Sequence, residues 1–377
     1  MVEHVVVIGA GVYGAAVAAS LARRGARVSV VDAGAPASGT SGATFSWINS
    51  CGKQPRSYHD LNVAGMEAHR NLAAGGPGGD WYHETGNLEW PADDAGRTEL
   101  RAKVTGVLGY GYEARWLTRE EVRRLEPDLD PAQLPADEIA YFPREGWIEP
   151  TRLVGHLLAS AVSGGAELIP EDAVVGLEAS GGVMRAVLLA SGRRLSADAV
   201  VNCAGPRAAR IAELAGLTLP MRNTRGVLVY TSPVAVSVSL VIHSPRVHLR
   251  PDGGGRLLLH SEETDNAVRV SGSASSAEIS PMPGVAVALL EAGRALYPGL
   301  GATAAESVRV GERPIPGDGL PVLGRAAGLP NFHFAVSHSG ATLCLHAGDL
   351  VAAEALGDDQ SGTLAPFRFE RFRDRSL

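Results

Sequence analysis

Val5 to Asp32, VVVIGAGVYGAAVAASLARRGARVSVVD, limits the fold more than any other stretch of the chain. Val5 to Ile8 is a short β-branched run of the kind that forms a buried parallel strand. Gly9, Gly11 and Gly14 follow in G-x-G-x-x-G spacing, and a small-residue helix is predicted from Val12 through Tyr13 to Arg24. Gly25 suits the helix C-terminus, Arg27 to Val31 reads as a second strand, and Asp32 ends it. Each glycine has a physical task. Gly9 permits a tight turn off the strand, Gly11 lets backbone approach a pyrophosphate, and Gly14 lets helix and strand pack closely. The helix N-terminus offers unpaired N–H groups and partial positive charge to phosphate, while Asp32 can accept from a ribose hydroxyl. Strand, glycine turn, helix, strand and acid in this order predict a dinucleotide site. An acid at the second strand end favours an unphosphorylated ribose, hence FAD or NAD over NADP.

The chain has 377 residues, enough for two domains or one domain with another inserted. Its apolar content of 45% and charged content of 20% are those of an ordinary globular protein. The net charge of −7, without a basic block, speaks against nucleic acid. Cys51, Cys203 and Cys344 lie far apart with no C-x-x-C pair, which argues for a reducing compartment and against a structural metal or a disulfide framework. The apolar N-terminal run is short and broken by glycine, so a signal peptide is not expected, and no stretch reaches the ~18 apolar residues of a membrane span. A cytoplasmic protein is expected.

After Asp32 and Ala33 comes a stretch dense in Gly, Ser and Thr up to Ser50. Hydroxyls at Ser38, Thr40, Ser41, Thr44 and Ser46 are candidates for a cofactor's phosphate and polyol, with Ala43 between them and Phe45, Trp47 and Ile48 as apolar anchors. A helix is predicted over Ser57 to Ala73, ended by the Gly75–Asp80 loop. Trp81–Trp90 reads as a strand, Asp93–Leu108 as a helix, and Thr118 opens a capping box. After Gly146–Pro150 come a helix from Thr151 to Ser163 and strands at 167–169, 173–178, 183–189 and 199–203, with a hairpin turn at Gly181–Gly182. Residues 220–311 alternate like an antiparallel sheet, and a helix is expected from Gly284 to Leu296. A glycine-rich loop at 313–324, a strand at Phe332–Val336 and a helix opening at His338–Thr342 complete the chain.

Six segments together resemble the flavin-dependent D-amino-acid oxidase-like family, which includes glycine oxidase, sarcosine oxidase and D-amino-acid dehydrogenase. They are G-A-G-x-x-G-A with Asp32, S-G-T-S-G-A-T at 38–44, G-W-I-E-P at 146–150, V-V-N-C-A-G at 200–205, R-P-x-x-G-D-G-x-P-x-x-G at 313–324 and H-S-G-A-T-L at 338–343. The resemblance spans nearly the whole chain. It implies an α/β protein: a discontinuous Rossmann-like FAD-binding domain (1–75, 150–215 and 312–377) and an α+β substrate domain built mainly on an antiparallel sheet (76–149 and 216–311). It also implies non-covalent FAD, with backbone at Val174 toward the adenine and Ala204 and Gly205 nearby. The helix N-terminus at Ser339, Gly340, Ala341 and Thr342 would face the flavin, where N–H groups stabilise negative charge.

The resemblance further implies oxidation of an amine or amino acid at its C–N bond, with hydride leaving for flavin N5 and the imine hydrolysing. Arg313 stands where relatives place a carboxylate-binding arginine, and a guanidinium fork suits that task. An ion-paired arginine beside Glu312 is the plainer alternative. Arg250 is a second candidate, or a sheet-edge charge. Relatives often carry Gly-His-Gly in the last loop. Here His338-Ser339-Gly340 moves the imidazole, leaving pocket wall, base or structural histidine open. Arg256 falls near a position where oxygen-using relatives have lysine, and either oxygen or another carrier remains open as electron acceptor. Competing readings are an FAD-dependent 2-hydroxy-acid dehydrogenase, an NAD-dependent dehydrogenase, and a flavin-bound partner or tRNA-modifying protein.

Overall fold

The computed structural model describes residues 2–75, 79–265, 267–271 and 278–372. Part of the loop expected at Gly75–Asp80 lies outside them. A six-stranded sheet forms one half of the molecule. Its order is Val322–Ala326, Leu329–Val336, Ala199–Asn202, His4–Ile8, Arg27–Val31 and Glu167–Ile169. All neighbours run parallel except the Val322–Ala326 and Leu329–Val336 hairpin. Val5, Val6 and Val7 are fully buried, which is what a central parallel strand covered on both faces requires. The first helix, Val12–Arg23, packs on helices Pro150–Ser163 and Gly340–Ala355. Small residues allow this: a Cβ on Gly348 would come within 3.1 Å of Ala16.

The second half is an eight-stranded sheet, in the order Ala305–Arg313, Thr224–Thr231, Arg256–His260, His248–Asp252, Val241–His243, Asn87–Glu89, Ile139–Phe142 and Arg115–Leu117. Every pairing is antiparallel except Val241–His243 with Asn87–Glu89. Helix Val285–Leu296 covers it through Leu289, Leu290 and Leu296. Residues 87–142 and 224–313, widely separated in sequence, thus share one sheet. The expected α/β class with an antiparallel second sheet is borne out.

Local chemistry sets most boundaries. Asp93 caps helix Asp94–Gly109 by accepting from Gly96 N–H, and the Thr118–Glu121 capping box is present. Gly181 and Gly182 both adopt positive φ in the hairpin between Val174–Ser180 and Val183–Leu189. The continuous strand expected over Trp81–Trp90 is corrected to two short ones, Tyr82–His83 and Asn87–Glu89, in different sheets. Gly86 divides them at φ 93°, where the Tyr141 ring fills the place a Cβ would need. Among the described residues no helix is long and apolar enough to cross a membrane.

Candidate active site

Two cavities meet between the sheets. The first, about 560 Å³, begins at the glycine turn. Gly9 has φ 106°, and a Cβ there would lie 2.5 Å from the Cys203 carbonyl. A Cβ on Gly11 would lie 2.9 Å from Ser41 Oγ, which accepts from the Val12 N–H. Gly14 borders neither cavity. It is a packing glycine, since a Cβ would sit 1.7 Å from the Gly9 carbonyl oxygen. The Val12–Arg23 helix begins with no side-chain cap from Gly11 and no acid in its first turn. Val12 and Tyr13 line the cavity there, with the Val12 N–H held by Ser41 and no carboxylate in the first turn to compete for an anion.

Asp32 closes this end. Its carboxylate accepts from Ala10 N–H at 2.6 Å and Gly34 N–H at 2.9 Å, fixing the turn while each oxygen keeps a free lone pair. Ala33, Ser38 and Val174 continue the wall, as do Ala204 and Gly205 just after the Ala199–Asn202 strand, Ala204 lying beside Gly9. Thr40, Thr44, Gly340 and Ala341 also line it, Gly340 packing beside Val12 and Tyr13. The hydroxyls are not equivalent. Thr40 donates to the Glu312 carbonyl at 2.6 Å, and Ser46 lines the second cavity and not the first. Ser46 is buried, donates to Ile148 O and accepts from Arg250.

The second cavity, about 680 Å³, adjoins the first at Thr40, Thr44, Pro314, His338 and Ala341. Ala43, Ser339 and Thr342 line this one only. Ser339 is the N-cap residue of helix Gly340–Ala355, yet its side chain bonds Tyr58 OH instead of capping. Tyr13 OH bonds Ser337 Oγ at 2.9 Å, so the backbone is anchored on both sides of His338. His338 lines both cavities and is exposed to solvent. Desolvation, with the charges of Lys53 and Arg313, pulls its pKa down to about 4.

Three histidines missed by sequence reasoning line the same cavity. His243 pairs with His248 across one strand boundary and His248 with His260 across the next, forming a row over three strands. Burial lowers all three, His248 to about 3, so they are neutral imidazoles. Arg313, at the end of an edge strand, lines this cavity too. It pairs through both Nη atoms with Asp265, a partner unlike the Glu312 considered from sequence, and donates to His260 Nε2 at 2.9 Å. Only pairing of the two hairpin strands could have flagged the histidine row. Nothing local to Asp265 marks it as the arginine's partner, 48 residues away.

Arg250 is corrected. It is not a sheet-edge charge and lines neither of the two cavities: it sits 1% exposed on an inner strand of the eight-stranded sheet, beside a third cavity. Its guanidinium donates to Phe45 O, Pro251 O, Asp252 and Ser46 Oγ, and stacks 4.5 Å from the Trp147 ring centroid. Arg256 is bound to Glu306 and borders that third cavity, away from His338. Glu145, also missed, is a fully buried carboxylate that accepts from Trp47, Ser50, Cys51, Asn87 and Tyr112. Among the described residues no cluster of His, Cys, Asp or Glu could hold a metal.

The model of the family described as FAD dependent oxidoreductase (DAO) matches residues 4–354. The chain belongs to this family. Hydrogen cyanide synthase subunit HcnC of Pseudomonas aeruginosa is 26% identical, over 98% of this chain and 96% of that protein. Glycine oxidase of Geobacillus kaustophilus is 26% identical, over 97% of this chain and 96% of that protein. The crystal structure of glycine oxidase from Geobacillus kaustophilus matches with a TM-score of 0.83 at 24% identity, over 98% of this chain and 99% of that one. The protein is therefore an FAD-dependent oxidoreductase, and the NAD alternative is set aside. The first cavity fits the cofactor. A Cβ-free turn and a helix N-terminus with no acid in its first turn suit a pyrophosphate, and Val31, Val174 and Ile211 give an apolar slot for a planar ring.

Proposed function

We propose that this DAO-family protein oxidises the C–N bond of an amino acid or amine. The observation that carries this reading is the junction of the two cavities at His338. It joins a slot suited to FAD with a chamber that holds a guanidinium and neutral imidazoles. Gly9, Gly11, Val12, Tyr13 and Asp32 would hold the adenosine and pyrophosphate end. Val174, Ala204 and Gly205 would flank the adenine side, and Gly340 and Ala341 would meet the flavin. Gly14 acts by packing. When bound, FAD supplies the acceptor for the hydride that leaves the carbon bearing nitrogen. Non-covalent binding suits the cysteines: Cys51 and Cys344 border neither cavity, and burial pushes the Cys203 thiol up, keeping it protonated. Three buried, unpaired thiols also suit a cytoplasmic setting.

Arg313 would anchor a substrate carboxylate, and the chamber would orient the amine toward the shared wall. With its pKa near 4, His338 is too weak a base to hold a proton from an ammonium at neutral pH. We assign it to the wall that the two cavities share. The test is anaerobic mixing of the FAD-loaded protein with amino acids, secondary amines and 2-hydroxy acids, followed by flavin bleaching and then admission of air. Bleaching by hydroxy acids alone would refute the C–N assignment. Rapid return of colour in air would identify oxygen as acceptor, and its failure would point to another carrier.

A further inference from the structure

Arg313 has five N–H donors, four of them on Nη1 and Nη2. Asp265 takes one from each nitrogen, Nη2 to Oδ1 at 3.0 Å and Nη1 to Oδ2. His260 Nε2 takes the second on Nη2 at 2.9 Å, and Thr224 Oγ1 lies 3.4 Å from Nη1. The tautomer of His260 agrees with this. Its Nδ1 lies 3.2 Å from the Val227 carbonyl and must donate there, so Nε2 is the acceptor. The fork that would grip a carboxylate is thus already filled by one from the same chain. Two carboxylates cannot share one bidentate fork: it offers two parallel N–H bonds, and the anions repel at contact.

The surroundings are built for this arrangement. Gly226, on the strand beside Arg313, would place a Cβ 2.6 Å from Arg313 Nη2 and 3.4 Å from Asp265 Oδ1. Its missing side chain is what lets the pair lie over the strand. Both partners border the second cavity and each side chain keeps 23% exposure, so the pair is reachable from the chamber. Lys103 in the same cavity is paired with Glu89. Lys53, by contrast, has no acidic partner among the described residues and lies over the Tyr58 ring.

We propose that Asp265 is an internal stand-in for the substrate carboxylate. It occupies the Arg313 fork when the chamber is empty and is exchanged for the incoming carboxylate on binding. This rests on the reading of Arg313 as the carboxylate anchor. Asp265 then sets specificity by making every carboxylated ligand compete with it, while amines without a carboxylate escape the competition.

The test uses the FAD-loaded protein, with propionate as carboxylate probe and propylamine as control, read by the change in flavin absorption and by protection against thermal unfolding. Asp265→Asn and Asp265→Ala are expected to bind propionate about tenfold more tightly than wild type, since a charge-assisted competitor is gone. Propylamine binding is expected to stay within about twofold, and Arg313→Ala to lose propionate at least about tenfold. In a crystal structure of wild type with propionate, the ligand should sit on the fork with Asp265 displaced. Equal or weaker propionate binding by both Asp265 variants, with Arg313→Ala still defective, would overturn the proposal and leave Asp265 a positioning residue. Equal tightening of propylamine, absence of propionate binding in every variant, or a bound propionate beside an intact Arg313–Asp265 pair would overturn it as well. Unchanged propionate binding in Arg313→Ala would instead remove the carboxylate-anchor reading on which it rests.

Discussion

Arg250→Met separates a positioning arginine from a substrate-binding one. Methionine keeps the length and apolar stem of the side chain and can still pack on Trp147, so the change removes mainly the charge and its hydrogen bonds. In the wild type the guanidinium donates to Phe45 O at 2.6 Å and Ser46 Oγ at 3.0 Å, holding the segment that follows the 38–44 loop. Ser46 is in the left-handed region, at φ 50°, a conformation that a non-glycine residue keeps only when neighbours over-determine it. The variant leaves the Phe45 carbonyl without its donor inside the protein, while Asp252, 23% exposed, can hydrate. One or two orphaned buried acceptors at about 1–3 kcal/mol each, partly offset by the apolar packing of Met, give a net loss of about 3 kcal/mol. Urea unfolding of the FAD-loaded and FAD-free forms should show that loss with an unchanged m-value, and the variant should release FAD more readily. The values of kcat/KM for carboxylated and uncarboxylated amines should fall together. A stability loss below about 1 kcal/mol combined with a selective defect toward carboxylated substrates would refute the argument.

Gly11→Val is expected to purify largely without FAD, because its branched side chain meets Ser41 Oγ and enters the phosphate cradle; a variant at full occupancy by absorption spectrum would contradict that role. Glu145→Gln replaces an acceptor-only group, facing five donors, with one that must turn an N–H toward some of them. It should cost about 3 kcal/mol or more in urea unfolding, and a neutral result would mean that the donors re-pair elsewhere. His69 is fully buried, with Nε2 against the Ala341 carbonyl, and desolvation brings its pKa to about 4. Because the folded pKa lies below the unfolded value, the stabilising contribution is present above about pH 6.5 and is lost as pH falls toward 4. Between pH 7 and pH 5 this one residue should remove about 2 kcal/mol, and the acid slope of unfolding free energy should flatten in His69→Gln; an unchanged slope would refute the assignment.

What was legible in the sequence was what local chemistry encodes. The Gly9–Asp32 unit, the helix that starts at Asp93, the Thr118 box and the Gly181–Gly182 turn each rest on local chemistry, and each formed close to where it was read. The Trp81–Trp90 strand failed for a non-local reason, since Gly86 turns under the ring of Tyr141, 55 positions on. The side chains around the chamber were least legible. Arg313 was visible through its motif, but its partners His260 and Asp265 come from other elements. Glu145 sits in a plain turn sequence whose donors are supplied by three other parts of the chain. Register across strands decides such contacts, and no periodicity within one strand carries it.

The same geometry explains why one sheet ends where the other begins. The Ala305–Arg313 strand belongs to the eight-stranded sheet, yet its last turn meets the 38–44 loop of the opposite half: Thr40 donates to the Glu312 carbonyl, and a Cβ on Gly311 would lie 2.0 Å from the Ala43 carbonyl oxygen. Arg250 makes a second tie to the same loop at Phe45 and Ser46. The loop that lines the FAD slot is therefore held from the substrate side by backbone contact and by a buried guanidinium. A shift of the eight-stranded sheet would move Arg313 and the loop together. This coupling keeps Arg313 and the wall of the first cavity in one frame, as the proposed hydride transfer, which tolerates little misplacement, would require.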